Sequence, residues 1–142
     1  MRLNRAFLTL AALAALTATS ELHGQQGHPL DGTWYGDWGP SETHRNPIVL
    51  VIEYDSEYDS EYDGDALGGL INPGPDSIPL DVVRLDTTDW SVHMEATATN
   101  PAGQRVDYTI EGQIENLGLP NRSLRGTWQH GNETGTFLVT RN

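Results

Sequence analysis

Apolar and polar positions alternate along most of this chain. Trp90, Val92, Met94 and Ala96 fall on one side of an extended segment, and Ser91, His93, Glu95 and Thr97 fall on the other. Val106, Tyr108, Ile110 and Ile114 oppose Asp107, Thr109, Glu111 and Gln113 in the same way. A period of two is the mark of a strand with one face buried. Eight such segments are predicted: 30–38, 48–54, 65–71, 78–85, 90–97, 105–114, 123–129 and 134–140. Each is bounded by Gly, Pro, Asn or Asp, residues that favour turns. Asn72-Pro73-Gly74-Pro75-Asp76 stops the third, because proline has no N–H to give a ladder. Asn100-Pro101-Ala102-Gly103 is short enough to join the fifth and sixth as a hairpin.

No segment after residue 20 repeats its apolar positions every 3.6 residues over ten or more residues. Strands without crossover helices imply an all-β, antiparallel meander, either a closed barrel or a two-sheet sandwich. Eight strands favour the barrel, since closure removes exposed edges. Gly32-Thr33-Trp34 returns as Gly126-Thr127-Trp128. These two segments are expected to sit side by side where the sheet closes.

The first twenty residues break the pattern. Met1 to Arg5 carries two arginines, Ala6 to Leu16 is apolar, and Thr17-Ala18-Thr19-Ser20 is small, with Ala18-x-Ser20 as a cleavage pair. This is the layout of a signal peptide (residues 1–20, a signal helix), and the apolar run is too short to span a bilayer. Glu21 to Pro29 reads as a flexible lead-in, leaving residues 30–142 as one β domain that is secreted or periplasmic. The chain has no cysteine, so export brings no disulfide and the core alone must hold the fold.

Twenty Asp and Glu stand against eight Arg and no Lys, for a net charge of -12. Such a surface repels nucleic acid and anionic headgroups, which excludes nucleic acid and stable membrane insertion after cleavage. Much of the charge sits in Glu53 to Asp65, three copies of Glu-Tyr-Asp spaced by four. Removing two copies would leave a tight Asp-Gly hairpin, so the segment reads as a duplicated loop, 54–63. Asp59-x-Glu61-x-Asp63-Gly64 mimics the start of an EF-hand calcium loop. Leu70 stands where the twelfth-position Glu should be, and the bland reading is a solvated loop.

Two further groups of residues bear on chemistry. His93 and Glu95 share a face and should lie across from Thr109 and Glu111, a candidate metal or acid–base site lacking a third fixed ligand. A cross-strand ion pair on an outer face is the plainer account. Ser41, Glu42 and His44 lie close in one loop, but no Gly-x-Ser-x-Gly elbow, zinc spacing or phosphate loop is present. Trp34, Trp38, Trp90, Tyr108 and Trp128 form the other group: they could line a cavity for an apolar ligand or a sugar ring, or simply fill the core.

Leu30-Asp31-Gly32-Thr33-Trp34-Tyr35 resembles the opening strand of the avidin–streptavidin barrels, and Gly32-x-Trp34 is similar to the lipocalin opening. Gly64-Asp65-Ala66-Leu67-x-Gly69 resembles the second streptavidin hairpin. That family binds biotin through an Asn and a Ser after the Trp-Tyr pair. Gly36 and Pro40 stand there in this chain, so biotin binding does not carry over. A broader resemblance, to small exported bacterial β-barrel-like proteins of unassigned function, rests on Trp38-Gly39-Pro40, Arg45-Asn46-Pro47, Asn72-Pro73-Gly74-Pro75, His93-Met94-Glu95-Ala96 and Gly126-x-Trp128-x-His130. A related Gly-x-Trp module precedes some bacterial serine hydrolases. This company implies a β module at the envelope and supplies no catalytic residue.

The function expected is therefore a non-enzymatic binding module for a small apolar or glycan-like ligand, with no cofactor beyond calcium at the acidic loop. The alternatives are an envelope interaction module and a metal-assisted or hydrolytic enzyme centred on His93 and Glu95.

Overall fold

The computed structural model describes residues 27–55 and 66–141. The signal segment, most of the lead-in, and Asp59, Glu61 and Asp63 of the acidic repeat lie outside the described residues. Eight antiparallel strands follow one another around a closed barrel: β1 (Gly32–Ser41), β2 (His44–Tyr54), β3 (Leu67–Ile71), β4 (Ile78–Asp86), β5 (Ser91–Thr99), β6 (Arg105–Glu115), β7 (Ser123–His130) and β8 (Glu133–Arg141). No helix occurs among the described residues.

The alternation that predicts the strands also decides what is inside. Trp34, Ile48, Leu50, Ile52, Ile71, Val83, Val92, Met94, Ile110, Leu124, Phe137 and Val139 are all buried in one continuous core. Rolling the sheet lets every inward row meet several others across the axis, so each apolar side chain loses its water at roughly 25 cal/mol per Å² buried. The core residues Leu50, Met94, Ile110 and Val139, with Trp38 and Trp128, enclose only about 10 Å³ of free space. That holds one water at most. The aromatic residues therefore fill the barrel rather than line a hollow.

Closure brings β1 against β8, the first strand against the last. The two Gly-Thr-Trp segments are not neighbours, because β8 pairs with β1 on one side and β7 on the other. Trp34 aligns with Arg141 near one end, whereas Trp128 aligns with Gly135 near the other. The matching triplets run in opposite positions along the barrel because β1 and β7 share a direction but are staggered by the sheet's shear. Trp38, one turn of the pleat further on, is the residue that reaches Trp128.

The ends differ. At the base, Leu30 is wholly buried and its carbonyl accepts the Trp34 indole N–H at 2.9 Å. Arg122 Nη1 donates to Pro29 O at 2.8 Å, the Tyr54 N–H donates to Asp31 Oδ1 at 3.3 Å, and His28 stacks on Tyr54. His28 and Pro29, read from sequence as lead-in, are thus tied to the base. Trp90 precedes β5 rather than opening it, in the left-handed region at φ 61°. Its carbonyl accepts Ile114 N–H at 3.0 Å and Asp89 Oδ1 accepts Ser91 N–H at 2.9 Å, which fixes the turn.

Candidate functional site

The opposite end, the mouth, is built by the turns after β1, β3, β5 and β7. Residue parity carries Tyr108 of β6 and Trp128 and His130 of β7 inward just below it, and Trp38 of β1 joins them. Trp38 and Trp128 lie 5.6 Å apart between ring centroids, Trp38 and Tyr108 6.0 Å, and Tyr108 and Trp128 6.4 Å. His130 meets Tyr108 edge-on at 5.0 Å. Such tilted contacts align the positive edge of one ring with the negative face of another, worth about 0.5–1.5 kcal/mol per pair beyond burial.

Room for the Trp128 ring comes from Gly135, its direct partner on β8; a Cβ there would run into the indole. Tyr108 and His130 form part of the wall of a cleft of about 650 Å³ that also takes in Ile78, Pro79, Ala98 and Val106. Asp76, Ser77, Thr97, Thr99 and Asn100 add polar groups to it. Burial pushes the Tyr108 phenol above its usual range, and the Glu133 carboxylate adds to the effect. Trp128 Nε1 and His130 Nδ1 are shielded from solvent, with no hydrogen-bond partner among the described residues. A buried polar atom without a partner costs about 1–3 kcal/mol; Trp128 Nε1 is a donor, and His130 Nδ1, on the cleft wall, is a donor or an acceptor according to its tautomer.

Of the aromatic residues singled out in the sequence, Trp38, Tyr108 and Trp128 come together here. Trp34 has no exposed surface and belongs to the base, as does Trp90. His130 lies one residue beyond the seventh predicted segment, 123–129, and the structure adds it to the strand. Its place two positions after Trp128 is the signal that could have found it, since β7 runs through His130.

His93 lies elsewhere, on the outer face of β5. The register sets it opposite Glu111, and Glu95 opposite Thr109, as the alternation implied. His93 Nδ1 meets Glu111 Oε1 at 2.5 Å and Nε2 meets Glu95 Oε1 at 3.0 Å. Hydrogen bonds to Glu95 first and Glu111 second hold the imidazole pKa above its ordinary 6.5, against a smaller opposing effect of burial. With both ring nitrogens engaged, the arrangement is an ion-paired ladder rather than an open ligand set. No group of three or more His, Asp or Glu among the described residues is arranged to hold a metal ion. At the β1–β2 turn, Ser41 Oγ and Thr43 Oγ1 each lie 3.1 Å from His44 Nδ1, all of them exposed.

No family model, curated protein or solved structure matches the chain. The mouth must be interpreted from its own chemistry.

Proposed function

We propose that the chain is an exported, non-enzymatic binding module that takes a small glycan-like or amphipathic ligand across the barrel mouth. The observation that carries this reading is one cleft walled by Tyr108 and by His130, whose buried Nδ1 has no partner among the described residues, with Trp128 packed behind Tyr108. A sugar ring offers C–H faces that pack on aromatic rings and hydroxyls that both donate and accept. The polar side chains of Ser77, Thr97, Thr99 and Asn100 suit those hydroxyls.

Two features narrow the guest. The packed interior leaves no depth, so the ligand lies over the mouth rather than inside, unlike a guest held within a hollow eight-stranded barrel. A chain of net charge -12 disfavours anionic ligands and favours neutral ones. The layout of residues 1–20 supports export, to the periplasm or outside the cell. The resemblance of the first strand to the avidin and lipocalin openings agrees with a binding role.

The test is a titration of neutral oligosaccharides and apolar probes, read by tryptophan fluorescence and by calorimetry. A ligand should shift the emission, and Tyr108→Ala and His130→Ala should each weaken it by about tenfold or more, as loss of a central anchor does. Silence across the panel by both methods would sink the reading.

A further inference from the structure

The ladder between β4 and β5 stops short of the mouth. Its last register pair is Leu80 with Ala96, beyond a register shift between Leu80 and Val82. Pro79 comes next on β4 and has no N–H to carry the ladder on. Thr97, Ala98 and Thr99 therefore have register partners on β6 and none on β4. The cleft of about 650 Å³ lies in this gap: residues 75–79 form one wall, residues 97–101 the other, and Tyr108 and His130 line it with them. Beside it, among exposed side chains of β4, β5 and β6, is a second cleft of about 570 Å³. The two have Thr97 and Tyr108 in common. The second is polar, and its side chains already hold one another. Thr97 Oγ1 donates to Asp81 Oδ2 at 2.7 Å and lies 3.2 Å from Asp107 Oδ1, and Arg105 Nε donates to Asp107 Oδ1 at 2.8 Å. Glu95 and Thr109 also line it.

We propose that the ligand of the mouth is a linear, uncharged oligosaccharide that leaves through the β4–β5 gap, with one unit against Tyr108 and His130 and the next on the row formed by Asp81, Thr97, Asp107 and Arg105. This rests on the reading of the mouth as a glycan site and adds the length and charge of the guest. Each cleft alone has the volume of a small-ligand pocket, about 300–1,000 Å³, so a guest that engages both is longer than one ring. An ionised carboxylate offers about four acceptor positions. Asp81 and Asp107 keep some of theirs beyond the bonds to Thr97 and Arg105, and these accept from hydroxyls. Arg105 supplies donors for ring and linkage oxygens. Because the row is held by its own hydrogen bonds, little side-chain freedom is lost when a guest arrives. Asp81, Glu95 and Asp107 against Arg105 alone set a negative potential that rejects a sugar acid. The free edge at residues 97–99 also fits a peptide added as a strand, but three residues, with proline opposite the first, give such a strand few ladder bonds.

The test is calorimetry of the whole chain with glucose and its linear α-linked and β-linked oligomers, up to about six units. Affinity should rise at least about tenfold between the single sugar and the oligomer that spans both clefts, and then level off. Uronic-acid oligomers of the same length should bind at least about tenfold more weakly than the neutral ones. Asp81→Ala and Asp107→Ala should each lower the affinity for the long neutral oligomer by about tenfold, towards the single-sugar value. The length series uses the unaltered chain, so the test stands even where a variant fails to fold. Sugars bound with an affinity indifferent to length, or uronic-acid oligomers bound as tightly as neutral ones, overturn this inference and leave the reading of the mouth in place. Silence towards every sugar removes both. An alternating valine–lysine peptide that binds where no oligomer does would overturn it in favour of strand addition.

Discussion

Trp128 and Gly135 face each other across the β7–β8 pair, and the indole together with the Gly39 carbonyl oxygen occupies the space that a side chain at Gly135 would fill. The glycine is therefore a packing requirement of the mouth. Gly135→Val should push on the Gly39 backbone as well as force Trp128 off its rotamer, and destabilise the fold by about 3 kcal/mol or more. Urea denaturation gives that cost. Loss of the native tryptophan emission in the folded variant would place the disturbance at the mouth, and an unchanged spectrum would count against it.

At the base, Leu30 is the side chain with the most to lose. It is wholly buried, and its backbone carbonyl holds the Trp34 indole. Leu30→Ala keeps the carbonyl but leaves a cavity, and should cost about 2–5 kcal/mol by thermal or urea unfolding. A change below about 0.5 kcal/mol, typical of surface sites, would mean that the base is not sealed there.

The His93 ladder gives a signed pH dependence. Folding raises the imidazole pKa above 6.5, chiefly through its hydrogen bonds to Glu95 and Glu111. The stabilisation is fully present below 6.5 while both carboxylates are ionised, and it is lost as pH rises through the higher folded value. The pair is partly exposed, so the slope should amount to no more than about 1 kcal/mol. His93→Gln should flatten that part of the urea midpoint against pH. An unchanged slope in the variant would assign it to another group.

Tyr108 should ionise late. Burial and then the Glu133 carboxylate raise its phenol pKa above 10. In an alkaline titration followed by tyrosinate absorbance, Tyr108→Phe should remove the latest-rising component, and Glu133→Gln should bring it earlier. If the variant instead removes an early component, Tyr108 is not sheltered as described.

Much of the barrel was legible because period-two alternation speaks directly to which face is inside. Met94, Ile110 and Val139 declare themselves in the sequence and are buried in the structure. The pairing of His93 with Glu111 was equally legible, since one hairpin fixes its register. The closure was legible only in outline. A repeated triplet signals similar local strands, but it carries no information on stagger, and so Trp34 and Trp128 were placed together when Trp38 is the true neighbour. Strand ends were missed for a related reason. The first segment was bounded at Trp38, yet β1 continues through Pro40 to Ser41, where a register shift between Trp38 and Ser41 accommodates a residue with no N–H. The packed interior could not be read from aromatic content, because ring count says nothing of the volume left between rings.

The tie between Pro29 and Arg122 sets how far the amino end of the barrel extends. A chain that began after His28 would lose the ring stacked on Tyr54, and one that began after Pro29 would lose the carbonyl that accepts from Arg122, so each further residue removed would strip a piece of the floor. An assembled base thus shelters its own first residues from a protease, and a chain cut into it would be left open.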